Sequence, residues 1–141
     1  MGRTCTRREA ALGLTRIVIP GRFDGLNEFI NANRRMNGHW NAGNAMKQKD
    51  QKRICQYLPE VKFRKKIFIE YVFYERNTKR DKDNISGYFH KIFQDALVQG
   101  GLLENDGWKN IDGWADYFYV DGKNPRIEIF IKEGRWTGKK Q

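Results

Sequence analysis

Apolar and polar positions change period several times along this chain, and each change marks an element. Residues 61–74 (VKFRKKIFIEYVFY) alternate: Phe63, Ile67, Ile69, Tyr71 and Phe73 share one parity, while Lys62, Arg64, Lys66 and Glu70 share the other. That period of two predicts a strand with a core face and a solvated face whose early part is positive. Over residues 84–99 the spacing becomes helical, with Ile85, Phe89, Ile92, Phe93, Ala96 and Leu97 on one stripe and Gly100-Gly101 as the stop. Asn84, Tyr88, Lys91 and Asp95 fall on the opposite side of that helix.

Weaker signals flank these two. Residues 15–19 (TRIVI) predict a short strand ended by Pro20 and Gly21. Residues 24–35 predict a helix with Asp24 as N-cap and Leu26, Phe29 and Ile30 on one side. The Gly- and Asn-rich residues 37–44 break the path, and a charged helix follows over 45–58, ending before Pro59. Residues 114–120 and 127–132 read as two strands of a hairpin, joined by the turn Asp121-Gly122-Lys123-Asn124. The sum is a small single α/β (α+β) domain, a mixed sheet packed by helices, over residues 14–135. A basic arm (1–13) and a basic tail (136–141) flank it.

Composition agrees with that size. A chain of 141 residues that is 39 % hydrophobic supports one core. No apolar run approaches the roughly 18 residues of a membrane span, and the N-terminus lacks a signal-peptide core. The expectation is a cytoplasmic protein with no membrane partner and no small-molecule cofactor. Cys5 lies in the basic arm and Cys55 in a polar, helix-like segment, and two cysteines fall short of the four closely spaced ligands of a structural zinc site, which predicts two ordinary thiols. Charge changes the picture more. Lys and Arg number 27 against 17 acids, a net charge of +10, which is the footprint of a phosphate-backbone binder.

Candidate chemistry gathers at Lys79-Arg80-Asp81-Lys82-Asp83-Asn84. In an extended segment, residues two apart point the same way, so Asp81 and Asp83 would aim at one point. Two convergent carboxylates suit a hard cation such as Mg²⁺ or Mn²⁺, with the neighbouring bases drawing in a polyanion. The same residues also suit a turn, with Asp83 or Asn84 capping the next helix. Lys91 has two readings: a phosphate ligand from the helix's polar face, or a surface pair with Asp95. Asp106, beside Asn105 and Gly107, has the composition of a turn. His39 and His90 add little, His90 being placed to be partly packed. Trp40, Trp108, Trp114 and Trp136 fit core or interface packing better than base stacking.

Taken together, Arg80-Asp81-x-Asp83-Asn84, then Lys91 and Asp95-Ala96-Leu97, then Gly101 and Asn105-Asp106, resemble the RusA-type crossover junction endodeoxyribonucleases of bacteria and phages. The resemblance is dense over residues 79–114 and looser over the flanks, where IVIPG opens the domain and NPRIEIFI closes it. It implies a RusA-like fold and a homodimer that places two sites on a four-way (Holliday) DNA junction. It also implies Asp81, Asp83 and Asp106 as metal-holding catalytic residues, Lys91 as a catalytic lysine, and Mg²⁺ or Mn²⁺ as cofactor. Lys62, Arg64, Lys66, Lys79, Arg80, Lys82 and Asn84 would then contact DNA. The chain departs from the family pattern in two ways. Four extra residues separate Asp83 from Lys91, compared with the best-known member. Asn105 stands where the family carries an acid. The competing expectations are a nucleic-acid-binding module without catalysis, and a nuclease for other branched DNA on the same fold.

Overall fold

The computed structural model describes residues 13–134; the arm over residues 1–12 and the tail from residue 135 onward lie outside the described residues. The described residues form strands β1 (Leu14–Pro20), β2 (Met36–Asn37), β3 (Trp40–Asn41), β4 (Ile67–Glu75), β5 (Ile111–Val120) and β6 (Arg126–Glu133). The helices are α1 (Leu26–Asn33), α2 (Ala42–Cys55) and α3 (Lys82–Gln99). Together they make a small α+β domain with a mixed sheet. No helix among the described residues is long and apolar enough to cross a membrane.

The alternation over β4 does what its parity requires. Ile67, Ile69, Tyr71 and Phe73 are all buried against α3, whose Phe89 and Phe93 meet the rings of Tyr71 and Phe73 edge to face or stacked within the helix. Burying such aromatic and branched side chains gives roughly 1.5–3 kcal/mol each, the main force holding helix to sheet. The strand starts later than its sequence pattern. Residues 61–66 run as a loop, because Phe63 N–H bonds Leu102 O and Lys65 N–H bonds the Glu133 carboxylate, so neither joins the ladder. Lys62, Arg64 and Lys66 therefore sit in a loop and not on a strand face.

The four-stranded sheet has the order β1-β6-β4-β5. β4 and β5 are parallel, with α3 as the crossover, while β6 lies antiparallel between β1 and β4. The expected hairpin of the last two strands is thus absent. β5 and β6 flank β4 on opposite sides, and the turn between them passes over the end of β4, where Asp121 N–H bonds Glu75 O. A parallel partner reached through α3 occupies one edge of β4, so the antiparallel return strand takes the other.

On the far side of α3 the polar face read from the helical wheel is partly internal. Tyr88 is 1 % exposed. Its ring packs on Phe29 of α1, and its hydroxyl donates to Asp50 Oδ2 of α2 at 2.7 Å. A wheel separates apolar from polar residues but does not show a second helical layer arriving on the polar side. α1 starts after Gly25, not Asp24, and α2 starts at Ala42, capped by Asn41, whose side chain accepts from Asn44 N–H at 2.9 Å. Residues 36–41 form a small antiparallel hairpin in place of a loose loop, turning at Gly38 with φ of +64°.

Candidate metal and nucleic-acid site

β4 delivers the chain to the site. Its last residue, Glu75, carries the core parity of the strand and is 5 % exposed. A buried carboxylate needs partners. Arg80 supplies them, Nε donating to Oε1 at 3.1 Å and Nη2 to Oε2 at 2.9 Å, and Arg22 Nη1 adds a contact at 3.4 Å. Arg80 Nη1 also donates to Phe23 O at 2.9 Å. This network folds residues 76–80 back under the start of α3.

Asp81 then takes the N-cap position in extended conformation (φ −69°, ψ 152°), and Asp83 lies in the first helical turn. The segment is therefore not extended through both residues, as the sequence suggested. The two carboxylates nevertheless open on one cavity of about 730 Å³, shared with Glu75, Arg80, Phe118 and Val120. Neither makes a hydrogen bond or ion pair among the described residues. The helix N-terminus favours both negative charges.

The other candidate residues are distributed as follows. Lys79 and Lys82 are exposed beside the cavity, with Lys82 Nζ 5.7 Å from the Phe118 ring. Asn84 is engaged internally: its Oδ1 accepts from Asn27 N–H at 2.8 Å and so caps α1 from outside that helix. Lys91 is exposed, 3.8 Å from Asp95 Oδ2, and does not line the cavity. Asp106 lies beyond the other end of α3, in a cavity with Asp95, Val98 and Gln99. An α3 of 18 residues is about 27 Å long, so a single chain keeps Asp106 away from Asp81 and Asp83. Lys62, Arg64 and Lys66 also lie at that far end, before β4 begins. Among the described residues no three His, Cys, Asp or Glu side chains stand close enough to hold a metal ion.

No family model and no curated protein matches this chain.

Sequence reasoning missed Glu75 and Arg22. The signal for Glu75 was present: an acid at the core parity of a strand, next in the series Ile67, Ile69, Tyr71, Phe73. Arg22 carried none, since its role depends on β1 and β4 finishing at the same end of the sheet, one strand apart across β6. Three tryptophans fall among the described residues. All are exposed, Trp108 at 93 %, so none serves the core of the single chain. His90 is partly packed as expected, Nε2 lying 2.7 Å from Asp116 Oδ1.

Proposed function

We propose that this protein is a metal-dependent endonuclease of branched DNA, acting as a homodimer that resolves four-way junctions by paired phosphodiester hydrolysis. The observation that carries this reading is the pair of unpartnered carboxylates, Asp81 and Asp83, facing one cavity in a chain of net charge +10. The resemblance to RusA-type enzymes supplies the substrate class.

The donor set fits the cation. Mg²⁺ or Mn²⁺ commonly binds through one or two carboxylates, completed by water and substrate phosphate. Asp81 and Asp83 would hold it, and when bound it would activate water and neutralise charge on the leaving oxygen. Lys79 and Lys82 would attract the backbone to the cavity mouth. Arg80 has a different task from DNA contact, since its guanidinium is committed to Glu75 and Phe23.

A second copy accounts for Asp106. β5 is an edge strand that exposes Trp114, Tyr117, Tyr119 and Val120, a surface that soluble proteins usually cover. Two copies joined antiparallel along β5 would lay the start of one β5 beside the end of the other. Asp106 precedes the start of β5 and the Asp81–Asp83 cavity adjoins its end, so each site would be completed by the partner's Asp106. The separation within one chain also favours the second reading, a junction-binding module without catalysis, if no such dimer forms. Asp83→Asn separates the two. The nuclease loses Mg²⁺-dependent nicking of a synthetic junction while binding is retained or tightened, because a carboxylate that repels phosphate is gone. Full nicking by that variant refutes the assignment.

A further inference from the structure

A second cavity, of about 560 Å³, opens between α1, α2 and the β2–β3 hairpin, and nothing above gives it a role. Its volume is that of a small-ligand site. Trp40, 55 % exposed at the hairpin, stands at its rim. Asp24, Glu28, Asn31 and Asp50 supply oxygen acceptors, Glu28 Oε1 accepting from Gly25 N–H at 2.8 Å, and Arg35 and Lys49 supply positive charge. Asp50 is 9 % exposed and spends Oδ2 on the Tyr88 hydroxyl, while Oδ1 has no partner among the described residues. Asp24, which is exposed, has none either.

This mixture of groups is selective. A bare cation would suit the carboxylates and Trp40 but would meet Arg35 and Lys49. A bare phosphate would suit the bases but meet Asp24 and Asp50. A nucleotide satisfies both sets: an aromatic plane to stack on, amino hydrogens for the carboxylates, and a phosphate for the cations.

The cavity is also tied to the Asp81–Asp83 site. Asp24 sits between Phe23, whose carbonyl is held by Arg80, and Gly25, so close to Asn84 that an added Cβ would lie 2.7 Å from Asn84 O. We infer that this cavity receives an unpaired nucleobase bearing an exocyclic amino group, adenine, cytosine or guanine but not thymine, extruded from DNA next to the strand presented to Asp81 and Asp83. Thymine, which offers only one ring N–H between two carbonyls, cannot reach the buried Asp50 carboxylate without turning a carbonyl oxygen toward it and is disfavoured. The inference rests on the nucleic-acid reading above, but not on catalysis.

The test uses the full chain in EDTA and fluorescein-labelled tetrathymidylate in which one internal thymine is replaced by adenine or cytosine. Fluorescence anisotropy should show the substituted tetramers binding about tenfold more tightly than tetrathymidylate, the cost of leaving the buried Asp50 acceptor unpaired. Trp40→Ala should lower affinity for the adenine tetramer about tenfold, the loss of one base–aromatic stack, and Trp40→Phe should retain most of it. Asp24→Asn should narrow the adenine-to-thymine ratio. Equal affinity for all tetramers overturns the inference, as does a preference that survives in Trp40→Ala. Displacement of the adenine tetramer by a lysine-rich peptide, with the same dependence on Trp40 and Asp24, would mark a cation site and overturn it too. Junction nicking, assayed separately with Mg²⁺, distinguishes failure of this cavity's role from failure of the nuclease reading.

Discussion

Arg80 grips Glu75 through two parallel hydrogen bonds, at 3.1 and 2.9 Å, from a turn only five residues farther along the chain. That pairing bends the end of β4 into the start of α3 and thereby sets where Asp81 and Asp83 stand. Glu75→Ala would leave two arginines facing each other over a buried space. We expect a loss of about 3 kcal/mol in urea denaturation, in line with breaking an ion pair in the interior. Glu75→Gln, which keeps acceptors for Arg80, should cost less. A Glu75→Ala protein as stable as the parent would show that the network does not hold the turn.

Asn84 tests whether a residue of the motif serves the fold or the ligand. Its Oδ1 caps α1 by accepting from Asn27 N–H at 2.8 Å. Asn84→Ala should therefore lower stability by about 1 kcal/mol, as loss of a helix cap does. Unchanged stability with weakened DNA affinity would instead assign it to DNA contact.

Asp50 gives the protein a pH signature. Burial raises its carboxyl above the ordinary 3.8, opposed by the hydrogen bond from Tyr88. A carboxyl raised on folding binds its proton more tightly in the native state, so native stability falls as pH rises above about 4, through the folded value. Asp50→Asn still accepts the Tyr88 hydroxyl but removes the titration. Its stability relative to the parent should rise from about pH 4 toward neutrality, read from melting temperatures across that range. An advantage that shrinks with rising pH would reverse the sign and contradict the assignment.

Sequence made the core legible where burial was one-sided and long. The odd-numbered residues of β4 and the apolar stripe of α3 are buried as their periods require. It failed where structure depends on partners distant in sequence. The pairing of β6 between β1 and β4, the second helical layer over Tyr88, and the engagement of Arg80 and Asn84 with the fold all arise from contacts across the chain. The candidate site was legible in part for the same reason. Asp81 and Asp83 lie two residues apart and share a cavity, whereas Asp106 is separated from them by the rigid length of α3.

That separation makes a mixture of two inactive proteins the sharpest measurement. Asp83→Asn and Asp106→Asn should each fail to nick a four-way junction with Mg²⁺. Co-refolded in equal amounts, half the dimers would be mixed, and each would retain one site with its own Asp81 and Asp83 and the partner's intact Asp106. Nicking should return to on the order of a quarter of the parental level. A mixture as inactive as its components would contradict a site shared between two copies, and nicking by either variant alone would contradict the nuclease itself.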